Sequence, residues 1–547
     1  MGGIVGKLSF DPQVRLSRAT VARMVDAIGH RGPHAGAWAG RGVAFAWRGA
    51  AAEPEVARSE TGRIRAMADA ELTNAAALRR QLERLGHAFG TCADAEVMAH
   101  AYEEWGDACI ERFSGPFACA IWDDQARRLL LARDHLGIRP LCYALLHGDG
   151  VVFASEIKAL LQDPAVSREC SAEAVDAYLA LGYVPSPLTI YRRVSRLEAA
   201  HTLVADGRRL TTRQFWELPL APGPARSEEE TLDVLESRLR AAIAGQTREP
   251  EAGVLNSGGA ASAAVAVCTP RRHAAVGVAV EQGPADLVRI AEMSRQLGLR
   301  GELDLAVPDA ADVARLLAWH LDEPLADPAA VTQYCVLVAA RRHMRVALTG
   351  HGGAPIWAGY RRHRIEQIEW EMRSVLPGPF ARLGGAVGRR LGSVRGARTL
   401  AHLALPPAGA CAVKHSYGLF DEGLRHGVYT RSFSWQVREA DPLARHVDVY
   451  RRCPSADPLA RALYVDARTW LPDSRLAIAD RVAAAAGLPL RHPLLDRGIV
   501  ELAASLPNAL KLRGAAGMYA LRRVAARHVP SALLPPERRP APPRPWL

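Results

Sequence analysis

Residues 253–264 read GVLNSGGAASAA, a short apolar strand that runs into a glycine turn and then an alanine-rich helix. A strand, glycine turn and helix in that order aim backbone N–H groups at one point, the arrangement that holds phosphate groups. The same alternation continues around it as GVLNSGG, SAAVAVC, AAVGVAV, ADLVRIAEMSRQLG and ELDLAV, which predicts a parallel α/β sheet. Ser257 and Ser262 flank Gly258 and Gly259, yet the loop has no carboxylate, lysine or arginine. Nothing in its side chains holds the metal that travels with nucleotide phosphates.

Upstream the pattern is different. The first 200 residues or so alternate short β-like runs with polar turns, among them GGIVGKLSF, GVAFAWRG, GRIRAMADAEL, PFACAIWDD, RRLLLARD, CYALLHG, GVVFASE, IYRRVSRL and HTLVADG. Two helical patterns, LTNAAALRRQLERLG and DAEVMAHAYEEWG, interrupt them, so a sheet-rich layered domain is expected over residues 1–216. The stretch LPLAPGPARS reads as a linker, placed at 217–227. A second domain then runs over 228–547. It opens on a capping box, Ser227 with Glu230, and an apolar helical face of Leu232, Leu235, Leu239 and Ile243. From about residue 360 the pattern is mainly helical.

Composition excludes several classes. Hydrophobic content of 49% with 23% charged residues describes a folded globular chain, and no apolar run is long enough to span a membrane. The first residues lack the features of a secretory signal, and a cytoplasmic protein is expected. Nine cysteines show no CxxC pattern and no histidines at metal spacing, so they read as buried thiols. The net charge of +11 comes from arginines spread evenly, without a basic stripe interleaved with aromatics, so no nucleic-acid partner is expected.

Several stretches, in order, resemble the glutamine-dependent asparagine synthetases: GGIVG, HRGP (His30 to Pro33), AYEEWG (Ala101 to Gly106), RDHLGIRPL (Arg133 to Leu141), FASEIKALL (Phe153 to Leu161) and YVPSPLTIY (Tyr183 to Tyr191). The SGG loop, TGHGG…AGY (Thr349 to Tyr360), HPLLD (His492 to Asp496) and LPNALKLRG (Leu506 to Gly514) complete the set. The resemblance implies an N-terminal nucleophile (Ntn) hydrolase-type αββα glutaminase domain. It implies as well a C-terminal parallel α/β ATP-pyrophosphatase-type domain with a helical end. Such a pair releases ammonia from glutamine and uses it on an adenylated carboxylate, usually aspartate. Relatives of this kind also close β-lactam and lasso-peptide rings. Pairing is implied too, as a homodimer or with an active homologue or biosynthetic partner.

The family's glutaminase needs a cysteine at position 2, where the thiol attacks and its own α-amine is the base. Gly2 stands there. The family's NGE pattern appears as Asp69, Ala70 and Glu71, so the carboxylate is kept while the amide and glycine are not. Arg48 and Asp94 stand where the family holds the substrate's carboxylate and amine. These survivors are read either as structural residues or as a remnant of a glutamine pocket.

In the family the loop reads SGGxDS, and its Asp binds Mg²⁺; here that position is Ala261. The second metal carboxylate belongs to a GEGGDE pattern, which here reads Gly350, His351, Gly352, Gly353, Ala354, Pro355. His351 is expected to be solvated or hydrogen-bonded, since one imidazole is a poor site for a hard cation. The adenylation lysine aligns with Met518, and an upstream family lysine with Ile478 beside Asp480 and Arg481. Pro355 and Pro489 stand where the family has glutamate. Ser257, Gly258, Gly259, Ser262, Gly350, Gly352 and Gly353 remain as a nucleotide-loop remnant, with Val278 where a strand residue packs on adenine.

Two readings follow. One is a pseudoenzyme or scaffold with no catalytic residue intact, no metal and no cofactor. The other is a divergent amide-forming ligase using ATP and Mg²⁺, which would draw a carboxylate from elsewhere, for example Asp286, Asp304, Asp322 or Asp327.

Overall fold

The computed structural model describes residues 2–50, 56–147, 149–247, 251–270, 274–279, 284–298, 300–305, 310–375, 384, 387, 401–416, 420 and 422–534. Only the backbone is described for 274–279, 284–287, 289, 300–305 and 310.

The N-terminal part is built from two antiparallel six-stranded sheets. In the first, Gly2–Ser9 lies between Val43–Gly49 and Gly150–Ala154; in the second, Phe117–Asp123 lies between Ile64–Ala70 and Arg128–Arg133. Strand Phe117–Asp123 is buried along its whole length, and its two faces serve different cores. Ala118, Ala120 and Trp122 pack with Ile4, Leu8 and Phe45 between the sheets. Phe117, Cys119 and Ile121 pack beneath the helices Ala75–Arg84 and Asp94–Trp105 with Leu82, Val97 and Met98. A third core, with Val5, Met24 and Ala154, covers the outer face of the first sheet with the helix Arg18–Asp26. The period-2 alternation of side chains produces this αββα sandwich, because a strand between two layers must be apolar on both faces.

Residues 215–227 carry no helix or strand. The helix Glu228–Gln246 then begins on the expected reciprocal cap: Ser227 Oγ accepts from Glu230 N, and Glu230 returns a bond to Ser227 N at 2.8 Å. Its Leu232, Leu235, Leu239 and Ile243 are fully buried. The parallel sheet behind it has the order Arg300–Leu305, Ala274–Ala279, Ala252–Leu255, Val346–Leu348, Leu490–Arg491. The chain order reverses between Ala252–Leu255 and Val346–Leu348, the switch point where α/β sheets open a crevice at the carboxyl ends of their strands. The SGG loop and the TGHGG loop leave those two strands side by side. Helices dominate the rest, including a π-helix over Asp466–Leu476.

Two expectations need correction. Cys92 and Cys170 are exposed, while the other seven cysteines are buried; both exposed thiols sit in polar loops. In IYRRVSRL only Val194–Arg196 forms a strand, since Tyr191 closes a turn by accepting from Val194 N at 3.2 Å. Among the described residues no helix is long and apolar enough to cross a membrane.

Candidate functional site

Strand Gly2–Ser9 pairs with Val43–Gly49 in a register that sets Gly2 opposite Gly49 and Gly3 opposite Arg48. The Gly2 N–H donates to Asp69 Oδ1 at 3.1 Å, and Asp69 is buried. A Cβ placed on Gly2 would lie 3.1 Å from the Arg48 carbonyl oxygen and 3.2 Å from Asp69 Oδ1, so a side chain there displaces one of them. Asp69 Oδ2 is buried without a hydrogen-bond partner, 3.8 Å from Arg31 Nη1.

Glu71 is paired with two arginines. It accepts from Arg139 Nη2 at 2.8 Å and from Arg491 Nε at 2.8 Å, and Arg491 belongs to the edge strand of the second domain's sheet. Burial alone would raise its carboxyl; Arg139 and Arg491 outweigh that and hold it below the ordinary range. The Arg48 guanidinium donates to Asp26 Oδ1 at 2.9 Å and weakly to the Val25 carbonyl at 3.4 Å. Asp94 opens the helix Asp94–Trp105 and accepts from Leu72 N at 2.8 Å. Of the four pocket candidates, Asp69 alone bonds to Gly2.

Behind Gly2 lies a buried ionic cluster that no periodicity announces. Arg31, from HRGP, donates to the Gly2 carbonyl at 2.9 Å, to Glu156 at 2.5 Å and to Asp480. Glu156 also bonds His30 at 2.9 Å and pairs with Arg481 at 2.9 Å and with Lys158. Asp480 and Arg481, singled out beside Ile478, therefore clamp the two domains together, while Ile478 itself is a core residue.

The second site forms around Gly353. A Cβ there would collide with Ala261 Cβ and would lie 3.4 Å from Met518 Sδ and 3.5 Å from Leu494 Cδ1. A Cβ on Gly359 would lie 3.0 Å from both Ala354 Cβ and Met518 Cγ. Ala261, Ala354 and Met518, scattered over more than half the second domain's sequence, thus meet at one place. Met518 is held there at φ +55° by its N–H bond to the Trp357 carbonyl at 2.8 Å. Gly352, at φ +91°, makes the turn that brings Gly353 in, against Leu495.

Mg²⁺ takes oxygen ligands in a near-octahedral set. Ala261, Ala354 and Met518 supply none, so these residues do not fit the ion. Asp322 is committed elsewhere, to Lys158 Nζ at 3.0 Å and Ile157 N at 2.8 Å, and Asp327 to Arg475 and Ala329 N. The side chains of Asp286, Asp304 and Val278 lie outside the described residues; the backbone of Val278 pairs with Asp304.

The SGG loop bonds to itself. Ser262 Oγ accepts from Ser257 N at 3.2 Å, meets Ser257 Oγ at 3.1 Å and donates to the Gly259 carbonyl at 3.0 Å. Gly258 N donates to Asn256 Oδ1 at 3.0 Å. His351 is partly exposed, as expected of a solvated loop residue, although its Nδ1 is buried without a hydrogen-bond partner and its ring lies 5.2 Å from that of His492 between centroids. Burial holds its imidazole down at about 4. Lys511 is buried too, and burial lowers its amine to about 8; it lies among Leu463, Val500 and Ala503.

Comparison with known proteins gives a consistent result. Residues 1–216 match the family described as glutamine amidotransferase domain, and residues 234–545 match asparagine synthase. A Mycobacterium tuberculosis protein provisionally named a glutamine-hydrolyzing asparagine synthetase is 31% identical over 87% of this chain and 74% of its own. Bacillus subtilis asparagine synthetase (glutamine-hydrolyzing) 1 is 27% identical over 100% of this chain and 88% of its own. Among solved structures, a glutamine phosphoribosylpyrophosphate amidotransferase from B. subtilis is similar at a TM-score of 0.29 and 15% identity, over 64% of this chain and 81% of its own.

Proposed function

The chain belongs to the asparagine synthase family, and we propose that it is a member that performs neither of the family's reactions, serving as a scaffold or partner subunit. The observation that carries this reading is the meeting of Ala261, Ala354 and Met518 at Gly353. The positions assigned to two metal carboxylates and the adenylation lysine pack around Gly353 and Gly359, and each carries a side chain without an oxygen. Such contacts stabilise charge that develops on a leaving pyrophosphate, and losing one typically costs about 10²- to 10⁴-fold in rate. Residues that act as a unit fail together, so the losses need not multiply for turnover to vanish.

The first site supports the same reading. Gly2 brings no nucleophile, and Asp69 fills the space beside it with a carboxylate. The partner is a second copy or an active homologue, in a reducing cytosol suited to the free cysteines. ATP and Mg²⁺ are not required for this role.

The divergent-ligase reading draws support from the glycines and serines of the SGG loop, which keep the shape of an anion cradle. Their hydroxyls and two of their amides are used internally, which favours the scaffold. The test is an assay of glutamate release from glutamine and of pyrophosphate release from ATP with Mg²⁺ and aspartate. Neither product is expected above a no-protein control. Steady pyrophosphate release would overturn the reading.

A further inference from the structure

Away from both sites, on the outer helical layer of the first domain, two imidazoles and two carboxylates converge. Glu60 lies in the turn before strand Ile64–Ala70, His87 in the connection after helix Ala75–Arg84, and His100 and Glu103 on helix Asp94–Trp105. Each contributes one ligand atom to a group whose members all lie within 4.8 Å of one another. His87 Nδ1 is 3.1 Å from Glu60 Oε2 and 3.2 Å from His100 Nδ1, and His100 Nδ1 is 3.5 Å from the same Glu60 oxygen.

Those edges have a physical meaning. Zinc bonds to nitrogen and oxygen at about 2.0–2.2 Å in a tetrahedral set, which requires ligand atoms roughly 3.3–3.5 Å apart. The His87, His100 and Glu60 atoms already form one face of such a tetrahedron. One unsatisfied group points to a missing occupant. Glu103 Oε2 is buried without a hydrogen-bond partner, while Ser59 Oγ holds its other oxygen at 3.0 Å. His100, 1% exposed, presents its Nδ1 to the group, and its Nε2 lies on the far side of the ring, 3.9 Å from Glu96 Oε1.

The surroundings fix the ligands. His87 Nε2 lies 3.3 Å from Glu104 Oε2, the carboxylate behind an imidazole that orients metal-bound histidines. Glu60 Oε1 accepts from Ala88 N. Glu96 accepts from Gly90 N at 2.7 Å and Thr91 N at 2.8 Å, so the loop that carries His87 is tied down.

We propose that Glu60, His87, His100 and Glu103 bind one borderline divalent cation of the zinc class as a structural clamp. Two imidazoles and two carboxylates suit zinc or cobalt better than magnesium, which prefers oxygen alone. The ion would join three segments of the first domain, and the site is independent of what the two family sites do.

The test titrates Co²⁺, then Zn²⁺, into the chelator-treated full chain while recording visible absorption and melting temperature. One equivalent of Co²⁺ is expected to give the intense bands of a tetrahedral ion, Zn²⁺ to bleach them, and either ion to raise the melting temperature. His87→Gln and Glu60→Gln, both reachable from solvent, are each expected to weaken binding at least tenfold, with circular dichroism showing an intact fold. His351→Ala, in the other domain, is expected to leave binding unchanged. Weak octahedral spectra, no stoichiometric binding, or binding untouched by both ligand variants would overturn the proposal.

Discussion

The Gly2 backbone N–H and the Asp69 carboxylate are bonded at 3.1 Å, and a nucleophile's Cβ at Gly2 would crowd that carboxylate, 3.2 Å from Asp69 Oδ1. Restoring the residue is therefore not enough to restore the reaction. Gly2→Cys is expected to crowd Asp69 and the Arg48 carbonyl, costing about 1–3 kcal/mol. The neighbouring carboxylate would also raise the thiol pKa, since it disfavours a second negative charge. The variant is predicted to release no glutamate from glutamine, and its thiol to react slowly with an alkylating probe at pH 7. Rapid glutaminase activity in the single variant would show that Asp69 is no obstacle.

Ala261→Asp with Ala354→Asp tests whether these two positions face one metal. Two unpaired carboxylates packed near Met518 and Leu494 are costly, so the double variant should melt lower than the parent in chelator. Added Mg²⁺ should recover part of that loss in the variant and none in the parent, read as melting temperature. Equal responses of the two proteins would separate the positions.

The inter-domain cluster centres on Glu156, which is fully buried among Arg31, Arg481, His30 and Lys158. Burial alone would raise its carboxyl, but Arg481 and Arg31 hold it well below the carboxylate range. Its stabilisation is present above the unfolded value near 4.5 and is lost as pH falls further toward the folded one. Glu156→Gln should cost about 3–5 kcal/mol at neutral pH, because it leaves buried cations unpaired. The gap in urea midpoint between parent and variant should narrow below pH 4.5. A constant gap would place the cost in packing, not charge.

Histidines with lowered values act in the same direction, because the unfolded chain again takes up protons first. His351 and His320 are held by burial at about 4, and His135 at about 3. An unfolded histidine takes a proton below about 6.5, so each such group destabilises the fold as pH falls from there to its folded value. His351→Asn removes one of them. Its melting temperature should fall less steeply than the parent's between pH 6.5 and 4; parallel curves would contradict the assignment.

Local signals in the sequence survived folding well. The Ser227–Glu230 cap formed as its spacing predicts, and the all-apolar run Phe117–Asp123 became a strand shared by two cores. Both are decided by neighbours a few residues away. The contacts that shape the sites are not: Glu71 pairs with Arg491 and Arg31 with Asp480, across the whole chain, and a charged residue in isolation looks like surface. The neighbour of His351 was hidden for the same reason, because only the fold brings His492 near it. Alanine offers no chemical signal at all, so Ala261 and Ala354 became legible only through the family pattern around them.

The central claim is that the second site holds no metal–nucleotide complex, and calorimetric titration of ATP into the full chain, with and without Mg²⁺, tests it most directly. The account predicts that Mg²⁺ makes no difference: any heat is weak and the same in both titrations. Binding that tightens with Mg²⁺ would contradict it, because some other group would then supply the oxygens that Ala261 and Ala354 lack.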